Sequence, residues 1–400
     1  MRQNDYPTLT PNEFADSSIS KVDTLINNMR VTQGDNPDLR AKFALRLMQR
    51  KQNAISTTDT IVLTGKNNKP VLKSVPVPCN GQEFFIDWLS ITADIASVEE
   101  KYRRTDEDDE QYMSLCQSAA LDISVLITRM FGKRFAITKQ NQTGRNFFKY
   151  SFVIGENYGL LCIGGQRGKF QIMINGTGCA LAPDGWQQYV YEWLTKYAIE
   201  PKITRVDLAH DDLEGNYLDV ESIDELETNG GFHCGGAKPT VSHLGNWKYQ
   251  DPNNKGRTLN IGNRASGKFC RFYEKGKKEG DKDSAWVRCE VEYKGVDRVI
   301  PFDVLLNPST YAMGSYPCFE GLFMYETSCR IATNRLTSKV QINHAFDWIK
   351  NQTGKYMTFF RTFLSDTEII ELIKNDDAKA IPDRLHLPHA WFLQQALMAA

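Results

Sequence analysis

Three stretches of this chain carry charged side chains at every second or fourth position. In ITRVDLAHDD (203–212) they are Arg205, Asp207 and Asp211. In WVRCEVEYK (286–294) they are Arg288, Glu290 and Glu292, and in KFCRFYEK (268–275) Phe269, Arg271, Tyr273 and Lys275 share one alternation. That spacing is one face of a strand. The opposite faces are apolar: Val206 and Leu208; Val287, Cys289, Val291 and Tyr293; Cys270 and Phe272. Were these strands neighbours, one side of a sheet would gather carboxylates, guanidiniums, a tyrosine and a lysine. Clustered carboxylate oxygens suit Mg²⁺ or Mn²⁺. Such an ion polarises a phosphoryl oxygen, and nearby Arg and Lys neutralise a phosphodiester. Asp207, Glu290 and Glu292 are the ligands this pattern names. The same alternation also serves a solvated sheet face with charges paired across strands, so the residues alone leave both readings open.

Cleaving a phosphodiester needs a nucleophile. Water makes a nuclease, whereas a tyrosine makes a covalent transesterase. LLNPSTYAMGSYPCFEGLFMYETS (305–328) supplies Tyr311, Tyr316 and Tyr325 among Pro308, Gly314 and Pro317, so a loop is expected there. Packing is the competing role for each tyrosine. His210 falls on the apolar side of its strand, which leaves no histidine base at the centre. The basic turn KGKKEGDK (275–282) offers Lys275, Lys277 and Lys278 as phosphate contacts, with Lys248, Lys255 and Arg257 beside it. Trp247 and Tyr249 are of the type that stacks on unpaired bases or packs in a core. Two histidines in RLHLPHAW (384–391) lack a third ligand and read as surface or packing residues.

The elements that position these residues follow from periodicity. Residues 1–80 read as a partly disordered extension with polar turns and one basic helix at 37–51, where Leu39, Phe43 and Leu47 form a stripe. From 81 to 330 strands and helices alternate. A strand fits 84–92 and a helix 113–130, with Leu115, Ala119, Ile123, Leu126, Ile127 and Met130 on one side. Strands fit 147–155 and 160–175, a helix spans Trp186 to Tyr197, and a strand fits 203–211. A capped helix at 219–228 and strands at 257–263, 268–275 and 286–294 repeat that order. LLCIGGQRGKFQIMINGTG (160–178) also sits beside TLNIGNRASGKFCRFYEKG (258–276), and Asp87 answers Asp207. The expectation is an α+β fold: two related β-α-β units, 84–200 and 201–330, forming one largely antiparallel sheet with helices on one face. Residues 331–400 read as helical, with a register at 338–350 and a capping box, SDTE, at 365–368.

Composition narrows the class. The hydrophobic share of 41%, the charged share of 24% and the net charge of −1 describe a globular chain without a global basic field, so nucleic-acid binding has to come from local patches. Nine scattered cysteines without a C-x-x-C suit a reducing cytosol. No run reaches the roughly 20 apolar residues of a membrane span. The polar N-terminus lacks a signal-peptide core, so the cytoplasm of a host cell is expected.

Taken in order, ITRVDLAHDD, TLNIGNRASGKFCRFYEKG and WVRCEVEYKG resemble the replication initiation factor family, Rep_trans, which includes initiators of staphylococcal rolling-circle plasmids and of filamentous phages and prophages. FFIDWLSIT and NPSTYAMGSYP resemble its opening strand and a segment of its phage branch, so the likeness spans about 84–325. The resemblance implies a rolling-circle initiator that nicks one DNA strand at an origin through a tyrosine, stays on the 5′ phosphate and leaves a 3′-hydroxyl primer. It implies a Mg²⁺ or Mn²⁺ ion on Asp207, Glu290 and Glu292. It implies Tyr316, or else Tyr311 or Tyr325, as the nucleophile, and a bacterial cytoplasm. Origin DNA with a single-stranded or hairpin nick site is the implied partner, with a host helicase as a further one; the oligomeric state, a dimer included, stays open. Arg205, Arg271, Lys275, Arg288, Lys277 and Lys278 are the DNA contacts to test. A non-catalytic origin-binding regulator and a water-using metal nuclease are the alternatives.

Overall fold

The three charged stretches form adjacent strands. The structure, a computed structural model, describes residues 10, 13–14, 16–24, 52, 54–65, 68–102, 109–248, 255–325, 327–331, 346, 349–350 and 353–374. The chain divides into two compact units, Met1–Ala332 and Thr333–Ala400. In the first, a hairpin of β1 (Ser56–Thr64) and β2 (Pro70–Pro78) precedes a ten-stranded sheet. Its strands are β3 (Phe85–Asp94), β4 (Ile137–Gln140), β5 (Tyr150–Ile154), β6 (Gly159–Ile163), β7 (Lys169–Ile174), β8 (Lys202–Asp212), β9 (Val241–Leu244), β10 (Thr258–Ile261), β11 (Lys268–Glu274) and β12 (Val287–Lys294). The helices are α1 (Asp109–Phe131), α2 (Gly176–Leu181), α3 (Trp186–Lys196), α4 (Val220–Thr228), α5 (Lys275–Lys278), α6 (Pro308–Met313) and α7 (Phe319–Leu322). No helix among the described residues is long and apolar enough to cross a membrane.

The strand order is β4-β5-β6-β7-β3-β8-β12-β11-β10-β9, and every neighbouring pair is antiparallel. Read outward from the β3–β8 seam, the two halves match strand for strand. Each opens on a central strand, crosses through a helix (α1 or α4), and returns as a four-stranded meander whose last strand pairs with the first. The expected α+β architecture of two related units is therefore present, each unit being one strand, one helix and four strands. The pairing of 160–178 with 258–276 needs correction. Those stretches are β6–β7 and β10–β11, whereas the positional equivalent of β10–β11 is β5–β6. A strand, a glycine turn and a strand look alike wherever they stand in a sheet, so local pattern misaligns the repeat by one strand. Asp87 and Asp207, on β3 and β8, do occupy equivalent strands.

The helical side of the sheet is the core. Leu115, Ala119, Ile123, Ile127 and Met130 of α1 are all buried, as their spacing predicts, and each fully buried Leu or Ile contributes roughly 1.5–3 kcal/mol. Asp219 caps α4 by accepting from the Ser222 amide at 3.0 Å. The other side of the sheet is not open, contrary to a simple two-layer picture. There the hairpin and α2 stand over the centre of the charged face, with Lys73 to Pro76, Gly176 and Thr177 lining one cavity with Asp87, Arg271 and Arg288. Sequence periodicity missed β1, β2, β4 and β9. The hairpin was missed because VPVPCN reads as an irregular stretch, although Pro76 and Pro78 sit in a strand whose only partner is β1.

In the second unit Ser365 and Glu368 form the expected capping box at the start of α8 (Asp366–Ile373). The basic helix expected at 37–51, most of 338–350, Tyr249 and the two C-terminal histidines lie outside the described residues.

Candidate active site

Register places the charges. Asp207 pairs with Glu292, Asp211 with Arg288, Glu290 with Arg271, and Arg288 with Tyr273, so all seven strand positions project to one side of β8, β12 and β11. β3 adds two more groups through a bulge. Ile86 pairs with Leu208 and Leu89 with Val206, both on the apolar side, and the register slips between Ile86 and Trp88. The slip turns both Asp87 and Trp88 to the charged side, where strict alternation would bury one of them.

The face is dense with ion pairs. Arg205 donates to both oxygens of Asp207, at 2.8 and 2.5 Å, lies 2.9 Å from Glu292 Oε2 and stacks over the Trp88 ring at 4.4 Å. Arg288 donates to both oxygens of Asp211 at 2.7 Å and lies 2.9 Å from Asp87. Arg271 and the Tyr273 hydroxyl, the latter at 3.0 Å, donate to the two oxygens of Glu290. Lys294 and Arg264 stand 2.8 and 3.4 Å from Glu292, but off the hydrogen-bond directions, so its buried oxygens accept no hydrogen bond. The hydrogen bonds to Asp207, Asp211 and Glu290 are bidentate or charge-assisted contacts of the strong kind.

Burial and charge pull the titratable groups apart. Burial pushes Asp207 well above the usual carboxylate range, Arg205 opposing it and Glu290 adding to it. Asp87 is raised too, by burial against the pull of Arg288. Burial works on Glu290 in the same direction, but Arg271, Arg288 and Tyr273 more than offset it and hold the carboxyl at about 2. Burial and the neighbouring Glu290 push the Tyr273 phenol well above its ordinary value. Carboxylates with such divergent environments on one face mark a functional site more often than a solvated surface.

Tyr273 opens on a cavity of about 450 Å³ between the charged face, the hairpin and the start of α2. Arg271, Lys275, Arg288, Asp87 and Glu290 share its wall. Lys278 lies 4.2 Å above the Tyr273 ring, and no carboxylate pairs with it among the described residues. Lys275 is paired with Glu279 and Lys277 with Glu274, both at 2.7 Å.

The three tyrosines expected as nucleophiles are not brought to this face. Tyr316 packs under the sheet against Phe232 and Phe319, with Lys268 3.9 Å from its ring. Tyr311 is in the same core and donates to Asp303 at 3.3 Å; Tyr325 meets the Thr310 hydroxyl at 3.3 Å. The loop expected to approach the sheet is instead α6, α7 and their turns, held by a 2.7 Å hydrogen bond between the Tyr293 and Ser315 hydroxyls and by Phe319 stacking on Phe84. His210 is packed on the apolar side with Phe84 and Phe323, as expected. Arg257 is tied to Glu221 and Glu274 and covers Trp247, so neither stands open as a strand contact.

A divalent ion does not fit these residues as they stand. Among the described residues no three Asp, Glu, His or Cys side chains converge closely enough to hold one. Arg205 sits between Asp207 and Glu292, and Arg271 occupies Glu290. Sequence pattern gives Asp87 only as the counterpart of Asp207 and singles out neither Trp88 nor the Tyr273 hydroxyl. A bulge has no periodic signature, and Tyr273 was read as one member of an alternating face rather than as the hydroxyl of the site.

No curated protein matches the chain. A solved structure of a rolling circle replication initiator protein from Geobacillus stearothermophilus is similar over 54% of this chain and 75% of that one, at 21% identity and a TM-score of 0.38, too slight a likeness to carry residue roles across. Residues 201–373, which hold β8, β11 and β12 and hence every charged strand position of the site except Asp87, match the model of the replication initiation factor family, Rep_trans.

Proposed function

We propose that the protein initiates rolling-circle replication by nicking and rejoining one DNA strand, with Tyr273 as the nucleophile. The observation that carries this reading is the Tyr273 hydroxyl, held at 3.0 Å by Glu290 on the wall of a cavity it shares with Arg271, Lys275 and Arg288. Glu290, held at about 2, orients the hydroxyl and is too weak a base to take its proton at neutral pH. With a strand in the cavity, Arg271, Arg288 and Lys275 face the non-bridging oxygens and stabilise the charge that grows there. The Tyr273 oxygen bonds to phosphorus as its proton leaves to solvent. The bond from phosphorus to the 3′ oxygen breaks with its electron pair on that oxygen, and a solvent proton completes the 3′-hydroxyl. The phosphotyrosine preserves a phosphodiester, so rejoining needs no nucleotide. No step here depends on a metal; for Mg²⁺ or Mn²⁺ to use Asp207, Glu290 and Glu292, Arg205 and Arg271 have to leave those carboxylates.

The test is an origin strand labelled at its 3′ end, incubated with the protein and run on a denaturing gel. A covalent band lost in Tyr273→Phe and kept in Tyr316→Phe, Tyr311→Phe and Tyr325→Phe supports the reading. Cleavage without an adduct points to a water nuclease, and retardation on a native gel without cleavage to a binding regulator.

A further inference from the structure

The β1–β2 hairpin lies outside the matched segment 201–373, yet it closes the cavity that holds Tyr273. Its base is tied to the first half of the fold: the Thr58 hydroxyl donates to the Ala180 carbonyl at 2.5 Å and Gln187 donates to the Ser56 hydroxyl at 3.2 Å. Its far end is tied to the second half: the Thr64 amide donates to Asp281 and Lys73 to Glu279, both at 2.8 Å. Leu63 and Val75 pin it onto Trp286. A two-stranded ribbon is marginal by itself, so these ties decide where it lies. Fixed at both ends to different halves of the sheet, the hairpin is a bridge, and Lys73 to Pro76 form the cavity wall facing Tyr273.

Charge says what belongs under the bridge. Glu279 is shared by two ammonium groups, Lys73 at 2.8 Å and Lys275 at 2.7 Å. One carboxylate against two lysines leaves a positive charge at the cavity wall, and the Lys73–Glu279 pair is partly exposed, so it exchanges readily. The cavity has the size of a small-ligand site, too small for a duplex.

We propose that the hairpin is a clamp for a single DNA strand, which lies between β2 and the charged face while Lys73 exchanges Glu279 for one of its phosphates. This rests on the reading of the charged face as the nicking site. It makes the far end, held by one partly exposed ion pair, one hydrogen bond and the packing of Leu63 and Val75 on Trp286, the part that lifts to admit a strand without a free end.

The experiment uses the full-length Tyr273→Phe protein and an oligo(dT) strand, since phosphate clamping is independent of sequence. Bound strand is expected to slow amide exchange in β1 and β2 by about fivefold, and a blunt duplex to leave it unchanged. Removing the far ties with Lys73→Ala and, at the buried Asp281, Asp281→Ala, each variant first shown to keep the parent's circular dichroism spectrum, is expected to speed strand release by about tenfold in fluorescence anisotropy. Oligo(dT) binding with hairpin exchange and release both unchanged overturns the clamp and leaves the nicking reading standing. A protein that neither binds oligo(dT) nor, with Tyr273 restored, forms the covalent adduct overturns both.

Discussion

Tyr273 and Arg271 donate to opposite oxygens of the same carboxylate, Glu290. The hydroxyl that would attack is thus fixed by a group whose negative charge opposes its ionisation. Burial raises the Tyr273 phenol first and Glu290 adds to it. Single-turnover nicking is expected to climb with pH through the alkaline range, because the phenolate fraction limits attack. Glu290→Gln removes the opposing charge and shifts that climb to lower pH. It also loosens the hydroxyl and lowers the plateau by roughly tenfold. An unshifted pH profile in Glu290→Gln contradicts the assignment of Tyr273.

Glu290 and Asp207 carry opposite pH signatures. Glu290 is lowered from 4.5 to about 2, so its contribution to stability is present above pH 4.5 and is lost as pH falls toward 2. Asp207 is raised, so its contribution is present below its unfolded value and is lost as pH rises. At neutral pH, Glu290→Gln is expected to lower the urea midpoint more than Asp207→Asn does. The Glu290→Gln deficit should shrink as the buffer moves from pH 5 toward pH 3. Equal deficits at both pH values in the two variants contradict the divergence of the two carboxyls.

Arg205 is the cation that Asp207 and Glu292 share. Removing it leaves two buried carboxylates facing each other, and breaking a buried pair in this way costs about 3 kcal/mol or more. It also opens the one place where two strand-paired carboxylates could share an external cation. Mn²⁺ is expected to raise the Tm of Arg205→Ala and to leave that of the parent unmoved, since a ligand that binds only the folded state stabilises it. A parent protein whose Tm rises equally with Mn²⁺ shows that the guanidinium does not stand in the ion's way.

How much of this was legible in the sequence depended on range. Alternation in 203–212, 268–275 and 286–294 gave three strands with the right faces, and periodicity gave α3 and α4 nearly to the residue and α1 all but its first turn, because each signal lies within one element. The seam between β3 and β8 was suggested only by the shared aspartate. The alignment of the two halves slipped by one strand, since hairpins are locally alike. Tyr316 looked mobile because Pro and Gly surround it. Its fate was set by Phe319 in the next turn and by Phe232, which is far from both in the chain. Tyr273, in plain view as part of an alternating face, stands out only once the register of β11 on β12 brings its hydroxyl to Glu290 on the diagonal.

The basic turn separates into two cations paired with a carboxylate and one that is not. Lys275 and Lys277 are ion-paired within their own turn, whereas Lys278 lies over the Tyr273 ring without a carboxylate. Burial and the neighbouring Arg271 and Lys275 lower its pKa, the signature of a cation short of negative charge. A phosphate arriving beside Tyr273 supplies that charge. Each phosphate contact on single-stranded DNA contributes roughly 0.7 to the slope of log K against log salt. Lys278→Ala is therefore expected to flatten the slope by about that amount, and Lys277→Ala to change it much less because its charge is already spent on Glu274. Salt titrations of oligonucleotide binding, read by anisotropy, decide it. A larger loss of slope from Lys277→Ala would mean that the two lysines exchange roles when the strand binds.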